Sequence, residues 1–201
     1  MRIEISRSLT VLLIALGAGL SSFSYAHAQD AQLTRQRPDL ALDYTILRSN
    51  APPGGCACFY ASGGSATLAW PLKLKGFSLL GDLTAGHAAG ISSNRYDLTL
   101  FTYTVGVRYT PPIHKTSLRP FADMLVGLSH ATGSLVQGTN TAVTNAGASF
   151  AFTAGGGLDL RLSRHLSLRL AQIDYLRTSF NNGASNRQNI LRMSAGGVFH
   201  F

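Results

Sequence analysis

"SFAFTAGGGLDLRLS", residues 149–163, decides the fold. Read with a period of two, it sets Phe150, Phe152, Ala154, Gly156, Leu158, Leu160 and Leu162 on one face. Ala151, Thr153, Gly155, Gly157, Asp159 and Arg161 fall on the other. One face is apolar and the other small or charged, which is the pattern of a β-strand because successive side chains point to opposite sides. The run also exceeds the roughly five or six residues of an ordinary globular strand.

The same alternation extends in both directions. In "LTLFTYTVGVRY" (98–109), Thr99, Phe101, Tyr103, Val105, Val107 and Tyr109 oppose Leu98, Leu100, Thr102, Thr104, Gly106 and Arg108. In "FSLLGDLTAG" (77–86), Phe77, Leu79, Leu83 and Ala85 oppose Ser78, Leu80, Asp82, Thr84 and Gly86. In "FADMLVGLS" (121–129), Ala122, Met124, Val126 and Leu128 oppose Phe121, Asp123, Leu125, Gly127 and Ser129. "LALDYTIL" (40–47) and "SATLAWPL" (65–72) behave alike, with Asp43 and Thr67 on their polar faces. In "LSLRLAQIDYL" (166–176) the phase slips, because Asp174 falls on the leucine face. A bulge near Ala171-Gln172 returns Asp174 to the polar side and turns Ile173 and Tyr175 outward. "LRMSAGGVFHF" (191–201) closes the series, with Phe199 and Phe201 opposite Arg192 and His200.

Eight strands are therefore expected. Their links alternate: 72–76, 110–119 and 163–165 are short or Pro-rich, while 49–59, 87–97, 133–148 and 178–189 are mostly longer and rich in Gly, Asn, Ser and Thr. Long connections on one side and short ones on the other predict an all-β, eight-stranded antiparallel up-and-down transmembrane β-barrel. Aromatic residues fit interface girdles, with Trp70, Phe77, Tyr109, Phe121, Phe199 and Phe201 toward one rim and Tyr44, Phe150 and Tyr175 toward the other. A soluble sandwich or lipocalin-like barrel would turn the apolar face inward. The long aliphatic and aromatic side chains of that face would overfill a small lumen, whereas the Gly, Ala, Ser and Thr of the other face suit a crowded interior.

The N-terminal 28 residues read as a secretory signal peptide. Arg2 and Arg7 supply the positive region, Leu9 to Leu20 the apolar one, and Ala26-His27-Ala28 the cleavage site. The apolar run is too short to span a bilayer as a helix. The expected organisation is signal peptide 1–28, a periplasmic segment 29–39, and a barrel over 40–201. The formal charge of +8 falls to +7 once Arg2, Arg7 and Glu4 are removed. Export excludes nucleic acid as the partner of that charge, and anionic lipid or lipopolysaccharide phosphates are the better match.

At its C-terminus the chain resembles the small outer-membrane β-barrels, of which the OmpA-like transmembrane domain is representative. "GGVFHF" is similar to the β-signal read by the outer-membrane assembly machinery, with Phe201 as terminal aromatic and Phe199 two residues before it; Gly197 and Ala195 are small for that pattern. "NAPPGGCACF", "AFTAGGGLDLRL" and "LRMSAGGVFHF" also resemble outer-membrane β-barrel domains. The resemblance covers roughly 40–201 and implies residence in a Gram-negative-type outer membrane. With the chain stopping at Phe201, the peptidoglycan-binding domain of full-length OmpA relatives is expected to be absent.

An eight-stranded barrel is just filled by its own side chains, which excludes a wide pore. The expected lumen set is Asp43, Asp82, Asp123, Asp159 and Asp174 with Arg108, Arg161, Arg169 and Arg192. Buried charges are costly unless paired, so a plug of ion pairs is the first reading and a narrow gated ion path the second. Some barrels of this size modify lipid A. The spacing His165-Leu166-Ser167 is similar to the His-x-Ser of the lipid A deacylases, but it falls at the short-turn end and no glutamate follows Glu4. Ser129 and His130 are adjacent and so point to opposite faces. No enzyme, metal or cofactor is expected.

Cys56 and Cys58, the only cysteines, lie in an oxidising compartment on this reading and form a local disulfide or two inert thiols, ahead of redox or metal chemistry. The polar loops "NAPPGGCACF", "GSLVQGTNTAVTNAGA" and "NNGASNRQN" are places for binding on a rigid scaffold, and no side-chain constellation in them specifies an extracellular partner. The expected role is structural or surface-interacting, ahead of a low-conductance channel and a lipid A-modifying enzyme.

Overall fold

A computed structural model describes residues 37–49, 59–91, 96–113, 116–133, 137–138, 141–142, 147–180 and 187–201. Strand β1 runs Asp39–Ser49, β2 Phe59–Pro71, β3 Phe77–Ile91, β4 Tyr96–Tyr109 and β5 Leu118–Gly133. Between β5 and the next long strand, β6 (Gln137–Gly138) and β7 (Thr141–Ala142) form a two-stranded ladder. Then follow β8 (Gly147–Arg161), β9 (Leu166–Thr178) and β10 (Gln188–His200). The eight long strands close in the order β1-β10-β9-β8-β5-β4-β3-β2, each pair antiparallel. The fold is a closed eight-stranded antiparallel barrel.

Alternation places the side chains as the period of two requires. On β4, Phe101, Tyr103, Val105, Val107 and Tyr109 are exposed on the outer wall, while Thr102, Thr104 and Arg108 are buried inside. Leu42, Tyr44, Leu79, Leu83, Met124, Val126 and Ile173 continue the apolar outer wall. The phase slip in β9 is a bulge, found one residue earlier than the sequence suggests. Leu170 and Ala171 are both exposed and together face Ala195 of β10, after which Gln172 and Asp174 return to the interior.

Three expectations about the rims are corrected. The long connection over 87–97 is mostly strand, because β3 continues through a left-handed Gly90 (φ 69°) to Ile91 and β4 begins at Tyr96. Phe121 is not a girdle residue: it shares the inward face of β5 with Asp123 and is only 6% exposed. Tyr44 lies halfway along β1, paired with Gly64 and Ala195, rather than at the long-loop rim. Trp70, Phe77, Tyr109 and Phe199 do lie outward at the short-turn end, where Phe77 and Tyr109 are in ring contact.

The interior is layered. At the long-loop end an apolar cluster of Leu47, Ala61, Ala88, Ile91, Leu100, Ala151, Leu176 and Ile190 packs with Phe59, Leu98, Ala131 and Phe180. Together these draw on all eight barrel strands, so the cluster lies across the whole lumen. A second cluster of Ala69, Leu80 and Leu125 joins β2, β3 and β5. The charged residues occupy the remaining interior.

Candidate functional site: the charged lumen

Three guanidiniums organise the interior. Arg108 on β4 makes a two-pronged contact with Asp123, its register partner on β5, through Nε at 2.8 Å and Nη2 at 2.7 Å. Arg169 on β9, with a side chain 0% exposed, donates from Nε to Asp159 at 3.0 Å and from Nη1 to Asp43 and the Gln172 carbonyl, both at 2.9 Å. Arg192 on β10 donates from Nε to Asp174 at 2.8 Å and from Nη1 to Asp82 at 2.7 Å and Thr84 at 2.6 Å.

Gln172 joins the Arg169 and Arg192 groups into one chain, since its amide donates to Asp174 Oδ2 at 2.9 Å while its carbonyl takes Arg169. Charge-assisted, mutually polarising hydrogen bonds of this kind are what make a buried ionic group tolerable. The Phe121 ring lies against two of the cations, with the Arg108 guanidinium 4.0 Å and that of Arg169 4.8 Å from its centroid. This dry cation–π contact explains why an aromatic residue stands on the polar face of β5.

Two carboxylate oxygens, Asp43 Oδ1 and Asp174 Oδ1, have no hydrogen-bond partner among the described residues. Each is directed at a glycine on the neighbouring strand: Asp43 faces Gly196 on β10, and Asp174 faces Gly155 on β8. The small residues of the polar face are thus the space into which the buried carboxylates fit.

Of the residues assigned to the lumen from sequence, Asp43, Asp82, Asp123, Asp159, Asp174, Arg108, Arg169 and Arg192 come together as described. Arg161 does not join them. It is the last residue of β8, exposed at the mouth, and its Nε donates to the Ser163 carbonyl at 3.3 Å. The inward parity is right, but no lumen wall continues beyond it to cover the side chain. Cys56 and Cys58 lie outside the described residues. Among the described residues no group of three or more His, Cys, Asp or Glu side chains is arranged to hold a metal ion.

At the short-turn mouth the structure joins three residues that sequence spacing did not connect. Ser167 Oγ and His200 Nε2 are hydrogen-bonded at 2.8 Å, and His200 Nδ1 lies 2.6 Å from Asp39 Oδ1. The partner of Ser167 is therefore His200 and not His165. The order Ser–His–Asp is that of an activated nucleophile. However, Ser167 is 1% exposed, which leaves little room for a substrate carbonyl beside Oγ. The three residues do tie β9, β10 and β1 together where the first and last strands meet, beside the bonds His200 N–H to the His165 carbonyl and Phe201 N–H to the Pro38 carbonyl.

No protein-family profile matches the chain. No curated protein sequence matches it either. Solved structures do match. The neisserial surface protein NspA superposes with a TM-score of 0.64 at 14% identity, over 82% of this chain and 97% of that one. Ail, the attachment invasion locus protein of Yersinia pestis, superposes with a TM-score of 0.55 at 10% identity, over 83% and 99%. Ail in complex with the heparin analogue sucrose octasulfate gives 0.55 at 11%, over 82% and 98%. The chain has the fold of the small eight-stranded outer-membrane barrels.

Proposed function

We infer that the chain is an integral outer-membrane barrel, exported by its signal peptide, that stabilises the envelope and works through its surface and extracellular loops rather than through its interior. The observation that carries this reading is the closed lumen. A solute would have to cross an apolar layer built from all eight strands and then a buried, mutually bonded ion-pair chain. Apolar constrictions exclude water, and ions with it. The apolar outer wall supports the membrane location. Export leaves the positive balance to outer-membrane lipid and lipopolysaccharide. Ail, a barrel of the same fold, takes a polyanionic sugar sulfate, and an anionic surface partner suits this chain as well. Phe199 and Phe201, both outward-facing, would serve recognition by the assembly machinery.

Single-channel recording of the refolded protein in a planar bilayer tests this reading. A folded, silent barrel is the expected result. Discrete openings that change when Asp159 or Arg169 is neutralised would overturn it in favour of a gated ion path.

A further inference from the structure

Seven arginines lie within the described barrel strands, and only Arg48 and Arg177 stand on the outer wall. Arg108, Arg119, Arg161, Arg169 and Arg192 share the inward face of their strands or the mouth continuous with it. A guanidinium on a membrane-facing wall is unfavourable at the bilayer centre and tolerated only near the headgroups. Arg48 and Arg177 obey that rule: each is the penultimate residue of its strand, β1 and β9, at the long-loop end. Both are exposed, and neither makes an ion pair among the described residues.

Their placement is mutual as well. A single strand, β10, separates them, with Arg48 opposite Leu191 and Arg177 opposite Asn189. Two strand spacings and a register offset of two residues put their Cα atoms about 12 Å apart. The wall around and below them is aromatic and aliphatic: Tyr60 is the register partner of Arg48, and Tyr44, Tyr175, Leu191 and Ile173 continue toward mid-barrel. Tyr175 Oη donates to Asn189 Oδ1 at 2.6 Å, which holds the ring across β9 and β10 against the register partner of Arg177.

We propose that Arg48 and Arg177 form a binding site for one acylated glycolipid that carries two separated phosphates, the lipid A of the outer leaflet. Each guanidinium takes one phosphate with charge-assisted hydrogen bonds, and the acyl chains lie along the Tyr44–Leu191–Ile173 wall. Two arginines whose Cα atoms stand about 12 Å apart, neither in an ion pair among the described residues, match a disaccharide phosphorylated at both ends better than a phospholipid with a single phosphodiester. The inference rests on the outer-membrane reading above and adds to it a defined lipid and a defined place.

The test is retention of lipid by the full mature barrel in phosphatidylcholine nanodiscs, read by native mass spectrometry after extraction. Bisphosphorylated lipid A, dephosphorylated lipid A or phosphatidylglycerol is added at equal mole fraction. Insertion into the plain phosphatidylcholine disc is scored first, because its failure counts against the membrane reading itself. Given insertion, bisphosphorylated lipid A is expected to be retained and the other two lipids not. Arg48→Gln and Arg177→Gln should each weaken retention about tenfold, and the double variant more. Equal retention of dephosphorylated lipid A or of phosphatidylglycerol by the wild-type barrel would overturn the proposal without any variant. So would undiminished retention of lipid A by a folded double variant.

Discussion

Arg192 on β10 and Asp82 on β3 are joined across the barrel interior at 2.7 Å, although 110 residues separate them in the chain. On the wall, β1 and β2 lie between their strands. The same guanidinium holds Asp174, so Arg192→Met would leave two buried carboxylates without their cation. Removing one partner of a buried ion pair typically costs about 3–5 kcal/mol. A loss of that order is expected in denaturant unfolding of the refolded barrel; a loss below about 1 kcal/mol would show that the plug adds nothing to stability.

Gly155 and Gly196 are expected to be intolerant of a methyl group. A Cβ at Gly155 would run into Asp174 Oδ1 and the Ile173 carbonyl, and one at Gly196 would stand 2.6 Å from Asp43 Oδ1. Overpacking against a hydrogen-bonded neighbour strand costs about 1–3 kcal/mol. Gly81→Ala is the control, because a Cβ there meets nothing within 4 Å. The control should unfold within about 0.5 kcal/mol of wild type, and equal effects at all three positions would refute the steric account.

Arg161 and Arg169 share a face parity but not an environment, and they should respond differently to neutralisation. Arg161→Gln changes an exposed mouth residue and is expected to shift stability by no more than about 0.5 kcal/mol. Arg169→Gln strips the cation from Asp43 and Asp159 and should cost several times that. Thermal unfolding of the two variants side by side decides the matter, and similar midpoints would contradict the assignment.

His200→Ala removes the link between Ser167 and Asp39 at the seam of β1 and β10. Loss of the part-buried hydrogen bond to Ser167 is worth about 1 kcal/mol. Hydrogen exchange should rise in β1 and β10 before it rises in β4 and β5. A fluorophosphonate probe should leave Ser167 unmodified in the folded barrel. Stoichiometric labelling there would reassign the triplet as a working nucleophile.

Most of the barrel wall was legible in the sequence. Side-chain alternation is a steric property of each strand, so the two faces of "LTLFTYTVGVRY" could be read without any partner strand. The bulge in β9 was also legible, because one misplaced aspartate, Asp174, demands a change of phase. The misreadings lie where length or exposure depends on neighbours. Residues 87–91 and 96–97 fall in a Gly-containing stretch read as a loop yet belong to strands, and Phe121 fits a girdle by residue type but faces two guanidiniums. The apolar layer of Leu47, Leu100, Leu176 and Ile190 carried a weak signal, as inward-parity leucines and isoleucine that a purely polar lumen does not need.

The sequence by itself determined that eight long amphipathic strands exist, which face of each is apolar, and that buried acids and arginines must share the other face. Local backbone geometry is enough for that. Only the tertiary structure decided which charges meet. Arg192 finds Asp82, Arg169 finds Asp43, Ser167 finds His200, and Arg161 finds no carboxylate among the described residues, because these encounters are set by the closure and stagger of the barrel. Those are properties of all eight strands together, carried by no single stretch of chain.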